Sequence, residues 1–154
     1  MATATESIPR FNHVALSVSP ELLSGSTAKD LLRFYEEVFG WGAMPTMTKE
    51  GELIVLRVHS NEQFVYLHGS REPLTCPPGD HFGLQVDSPE ALDAILERAR
   101  KYREADARVE ISDREEQDFN AVVLHSVYIR YLLPMQVELQ CFQWGEGFDA
   151  FRTA

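Results

Sequence analysis

Two histidines sit in matching surroundings in the two halves of this chain. His13 lies in Phe11-Asn12-His13-Val14-Ala15-Leu16-Ser17-Val18, and His81 lies in Asp80-His81-Phe82-Gly83-Leu84-Gln85-Val86. In each stretch apolar residues alternate with polar ones, the pattern of a strand with one buried face. Val14, Leu16 and Val18 share one face, as do Phe82, Leu84 and Val86, so both histidines point the other way. A third strand-like run, Gln136-Val137-Glu138-Leu139-Gln140-Cys141, puts Glu138 opposite the apolar set Val137, Leu139 and Cys141. A carboxylate inside an apolar strand is costly to bury unpaired. Two imidazoles and one carboxylate, with positions left for water or substrate, form the facial set typical of mononuclear iron(II) sites. The plainer alternative gives the histidines backbone hydrogen bonds and puts Glu138 in water or beside Arg130.

Other residues on polar strand faces offer supporting chemistry. Tyr128 and Arg130 share a face, with Val127, Ile129 and Tyr131 opposite. In a cleft, Tyr128 could donate a hydrogen bond to an oxygen held at the site, and Arg130 could anchor an anionic substrate group. Arg57 is a weaker version of the same idea. His68, on one face with Tyr66, could move a proton near neutral pH, although capping the turn before Gly69 is the simpler role. His59 and His125 are assigned nothing.

The elements that must position these residues repeat. After each histidine strand comes a helical pattern: Leu31, Leu32, Tyr35, Val38 and Phe39 stopping at Gly40, then Leu92, Ile95, Leu96 and Ala99 after the N-cap Ser88 and Pro89. Strand-like segments follow at residues 44–49, 52–58 and 63–68, and again at 108–112, 121–132 and 135–142, with an acidic loop expected at 113–120. The chain therefore reads β-α-β-β-β twice, an α+β class. The expected divisions are an N-terminal tail 1–10, one domain 11–146 and a C-terminal tail 147–154. Within the domain, module one spans 11–69, a Pro-rich linker 70–79 and module two 80–146. Neither module alone would bury much core, so the two should pack as one unit. Phe148 and Phe151 in the tail are expected to dock on the body or on a partner subunit.

The whole chain is 154 residues with 14 basic and 24 acidic side chains, a net charge of −10. Such a surface repels phosphate backbones and anionic lipid, so neither nucleic acid nor membrane is an expected partner. The start MATATESIPR has no apolar signal core, and no run is apolar enough to cross a bilayer, so a cytoplasmic location is expected. Cys76 and Cys141 are too few for a disulfide framework, and Cys76 has no evident activating base. There is no phosphate-cradling glycine loop and no serine nucleophile elbow.

Asn12-His13-Val14, the run Phe34-Tyr35-Glu36-Glu37-Val38-Phe39-Gly40, His81-Phe82-Gly83-Leu84 and Val137-Glu138-Leu139 resemble the vicinal oxygen chelate superfamily. That superfamily contains glyoxalase I, extradiol dioxygenases, fosfomycin-resistance proteins and bleomycin-binding proteins. The resemblance runs from about Phe11 to Phe142. It implies paired β-α-β-β-β modules forming a curved mixed sheet around a metal cleft, with His13, His81 and Glu138 as ligands. It also implies a homodimer, and in some relatives the two halves of a cleft come from different chains. Glyoxalases add a fourth ligand where this chain has Tyr66, a poor ligand at neutral pH. The turn before the last strand, Leu133-Pro134-Met135-Gln136, also departs from the Asp-Pro-Asp-Gly-Asn-like turn of relatives.

Three ligands suit a dioxygenase acting on a small oxygen-chelating molecule with Fe(II). Mn(II), Ni(II) or Zn(II) on the same ligands would suit a fosfomycin-type thiol transferase or an isomerase. Two further readings are a metal-free bleomycin-resistance-like binding protein and a vestigial site that serves only association.

Overall fold

The first strand, β1 (His13–Val18), buries Leu16 and Val18 and leaves His13 exposed, as its alternation requires. A 3-10 turn at Pro20–Leu23 leads into α1 (Gly25–Phe34). The helix continues as one wider, π-helical turn at Tyr35–Phe39 and stops at Gly40, whose left-handed φ of 74° is cheap only for glycine. Strands β2 (Gly42–Ala43), β3 (Leu53–Arg57) and β4 (Phe64–Gly69) complete this module. The second begins at β5 (His81–Gln85) and α2 (Pro89–Ala105), where the Ser88 side chain accepts from the Ala91 amide at 3.1 Å. It ends with β6 (Glu110–Ile111), β7 (Glu115–Asp118), β8 (Val122–Arg130) and β9 (Gln136–Trp144). The computed structural model describes residues 9–147, so Phe148 and Phe151 lie outside the described residues.

Each module forms a mixed sheet of its own with the same strand plan. One sheet runs β1-β4-β3-β2 and the other β5-β9-β8-β6, with β7 pairing β8. In both, the first and last strands are parallel neighbours and the remaining pairs are antiparallel. Two expectations are corrected. Residues 44–49 turn instead of extending, because Pro45 has no amide to give a ladder, and Lys49 makes only an isolated bridge to Leu53. Within 113–120, Glu115–Asp118 is a strand and not a loop. All four of its residues are exposed, so β8 holds it through the backbone and no apolar alternation marks it.

One continuous core joins the modules. It takes Leu16, Leu31, Phe34, Leu56 and Leu67 from the first and Leu92, Leu96, Val127, Ile129 and Leu139 from the second. Phe34 is fully buried at the seam, 4.4 Å from the ring of Tyr131 and 5.1 Å from that of Tyr102. Polar bonds fasten the same seam. Arg98 Nε donates to the Val38 carbonyl at 2.9 Å, capping the π-helical turn, and Arg108 Nη2 donates to Asp30 at 2.8 Å. The Tyr35 hydroxyl donates to the Tyr131 carbonyl at 3.0 Å, where both side chains are fully buried. With this face of each sheet committed to the core, the opposite faces carry the polar residues of β1, β4, β5, β8 and β9. Removing the Tyr35 hydroxyl in Tyr35→Phe takes one of two donors from the Tyr131 carbonyl, which keeps the Leu133 amide at 2.8 Å. Loss of that one hydrogen bond should destabilise the chain by about 0.5–1.5 kcal/mol, read as a lower urea midpoint at unchanged slope.

Candidate metal site

Register decides what faces Glu138. On β9 it stands between Gly83 of β5 and Tyr128 of β8. Gly83 has no side chain, and a Cβ there would lie 3.4 Å from Glu138 Oε2 and 3.7 Å from Gln140 Oε1. The carboxylate leans into this gap, where His81, two residues before Gly83 on the same face, reaches it. His81 Nε2 lies 3.2 Å from Glu138 Oε2. Glu138 is 4% exposed, so it sits neither in water nor beside Arg130.

The proton on His81 is located by its other nitrogen. Nδ1 lies 2.8 Å from the Gly79 carbonyl, which can only accept, so Nδ1 carries the hydrogen. The Pro-rich linker supplies that carbonyl in a tight turn, with the Gly79 and Asp80 amides both donating to Pro77 O. Nε2 of the neutral ring then presents a lone pair to a carboxylate lone pair at 3.2 Å. That approach is stable only with a proton or a cation between or beside them. His13 is prepared in the same way, its Nδ1 lying 2.8 Å from Asn12 Oδ1. A ligating histidine characteristically gives its second N–H to a carbonyl or amide oxygen in this manner.

Tyr128 completes the group. Its ring packs edge-on against His81 with centroids 5.1 Å apart, and its hydroxyl donates to Glu138. Burial first, and then that hydrogen bond and the Glu138 charge, hold the Tyr128 phenol up at about 12. It is therefore a hydrogen-bond donor at neutral pH and not a base.

The other sequence candidates lie elsewhere. His13 stacks on Phe64 at 4.9 Å, and among the described residues nothing joins it to His81 or Glu138. Consistent with that, no cluster of three or more His, Cys, Asp or Glu side chains forms among the described residues. His68 is exposed on β4, its ring 6.2 Å from that of Tyr66. Arg130, expected to be available for an anion, is held by Glu110 at 2.6 Å. The two registers match residue for residue: His13, Tyr66 and Val55 in module one take the places of His81, Glu138 and Tyr128 in module two. Module one thus has the imidazole without the carboxylate or its donor.

Sequence reasoning passed over two features, one beside Tyr128 on β8 and one on the other face of β5. Glu110 stands opposite Arg130 across β6 and β8, a pairing only register reveals. A cavity of about 440 Å³ opens where His13 and Phe64 approach Phe82 and Leu84, with Trp41 and His59 also on its wall. At pH 8, nitrogen-15 spectra should show His13 and His81 as Nδ1–H tautomers. An Nε2–H tautomer at His81 would remove the lone pair that the site depends on.

No protein-family model and no curated protein sequence matches the chain. Solved structures do resemble it. The fosfomycin resistance protein FosX from Listeria monocytogenes shares 14% identity over 88% of this chain and 94% of that one, with a TM-score of 0.59. A mutant of that protein, complexed with Mn(II) and 1S,2S-dihydroxypropylphosphonic acid, aligns at 15% identity over 96% and 100%, TM-score 0.61. A glyoxalase/bleomycin resistance protein from Albidiferax ferrireducens aligns at 17% identity over 85% and 98%, TM-score 0.58. Strand order, duplicated modules and these likenesses agree, and the chain has the paired β-α-β-β-β fold of the vicinal oxygen chelate superfamily.

Proposed function

We propose that this chain is a divalent-metal enzyme acting on a small oxygen-chelating molecule, and that its site is completed across a homodimer. The observation that carries the reading is the placement of His81, with Nδ1–H given to Gly79 and Nε2 turned on the buried Glu138. Adjacent ligands of a six-coordinate ion with bonds of about 2.1 Å lie about 3 Å apart, so the 3.2 Å separation suits two ligands of one cation. His13, prepared in the same way but stacked on Phe64 in a module with no carboxylate, supplies the third ligand to the His81 and Glu138 of a second copy.

The reading gives the remaining residues their roles. Tyr128 keeps its proton and orients Glu138 by donating to it. His68 and Tyr66, on the polar face of module one, line the opposing wall in the dimer and give His68 a place from which to take a proton. A bound Fe(II) would supply dioxygen chemistry, whereas Mn(II) would supply Lewis acidity. We favour the first, a dioxygenase with a 2-His-1-Glu site, because Tyr66 leaves only three ligands. The second reading, addition to a substrate of the fosfomycin type, is supported by the Mn(II) present in the FosX structures.

Mixed dimers test both the metal and its arrangement. His13→Ala and His81→Ala chains should each lose Mn(II) binding alone, by paramagnetic resonance on tag-free protein. Unfolded together and refolded, they should regain it in the hybrid dimer, which holds one complete site. Full Mn(II) binding by either variant alone would contradict the ligand set. Loss in both without recovery would place all three ligands in one chain. Absence of Mn(II) and Fe(II) binding in the unaltered protein would leave the metal-free binding protein.

A further inference from the structure

The two modules carry an arginine at the same register position, with different neighbours. Arg57, at the end of β3, stands opposite Gly42. Its guanidinium lies over that glycine, whose missing Cβ would be 3.0 Å from Nη2. Arg130, at the end of β8, stands opposite Glu110. Glu110 Oε2 accepts from Arg130 Nη2 at 2.6 Å and from Nε at 3.1 Å. Arg130 shares a sheet face with Tyr128, two residues and roughly 7 Å along the strand. It is the guanidinium best placed to hold a charged group on a molecule bound at His81 and Glu138, and it is already neutralised.

What else surrounds Glu138 is acidic or uncharged. Glu115 on β7 is close enough for its charge to raise the Tyr128 phenol. The side chains sharing the face along β5 and β9 are the carboxamides of Gln85, Gln136 and Gln140. On module two, a phosphonate-like dianion would have to evict Glu110 from Arg130 or lie beside two carboxylates without a guanidinium. We propose that Glu110 determines specificity: by occupying Arg130 it withholds the guanidinium of module two from dianionic substrates and favours an uncharged oxygen chelator, such as a diol or a catechol.

Glu110 and Arg130 are partly exposed, so their pairing adds little to folding. Its effect falls on the ligand, because a forked guanidinium contact to a dianion changes affinity by about tenfold to a hundredfold. The chelating end of the substrate rests on the metal reading given above. The charge selection rests on module two alone.

The two claims separate in one titration series, with phenylphosphonate and catechol as probes in the presence and absence of Mn(II). Glu110→Gln should bind phenylphosphonate at least tenfold more tightly than the unaltered protein, with metal or without. Glu110→Gln/Arg130→Gln should lose that gain, and the unaltered protein with Mn(II) should prefer catechol. Equal phenylphosphonate affinity in Glu110→Gln and unaltered protein would overturn the proposal. So would a gain that survives in the double variant, or a preference for phenylphosphonate in the unaltered protein. Catechol binding indifferent to Mn(II) would count against the metal reading, while the metal-free phosphonate comparison would still decide the role of Glu110.

Discussion

Glu138 is a carboxylate held at 4% exposure near the start of a nine-residue strand, with His81 Nε2 at 3.2 Å. A buried charge of this kind is tolerated only when something of opposite sign answers it. Tyr128 answers with one hydrogen bond, and the Gly79 carbonyl forbids neutral His81 from answering with another. The requirement reaches into the chain on both sides. It gives the linker turn at Pro77 a task beyond connection. It also makes Tyr128 a donor that burial keeps protonated.

The duplicated modules divide the work. Both retain the strand plan, the histidine on the first strand and an oxygen acceptor that fixes its Nδ1–H. Only module two retains the carboxylate, since Tyr66 and Val55 occupy the places of Glu138 and Tyr128. The core explains why this divergence costs the fold little. Phe34, Tyr35, Tyr102 and Tyr131 interlock on the inner side, so residues on the polar faces can change without disturbing the packing that joins the halves. The same freedom allowed the residue opposite the strand-end arginine to be Gly42 in one module and Glu110 in the other.

Much of this was legible in the order of residues. Alternation in β1, β5 and β9 places His13, His81 and Glu138 on polar faces, because a strand with one buried side must alternate. Ser88, Pro89 and Gly40 mark helix ends through local chemistry that depends on nothing distant. What stayed hidden depends on pairing. Glu115–Asp118 carries no apolar pattern, since an edge strand of four exposed residues is held by β8 alone. Pro45 cut short a segment whose composition otherwise suggested extension. Glu110 and Arg130 are brought together only by the β6–β8 register, and Arg130 alone suggests an open anion site that its partner has closed. The sequence likewise groups three candidate ligands, whereas a single chain brings together two of them and leaves the third on the other sheet.

Anomalous diffraction from crystals grown with Mn(II) tests the central claim most directly. The account predicts one peak per chain, within about 2.3 Å of both His81 Nε2 and Glu138 Oε2, with the His13 ring of a second copy as the third ligand. No peak at that pair, with the ring nitrogen and the carboxylate oxygen still in direct contact, would contradict it.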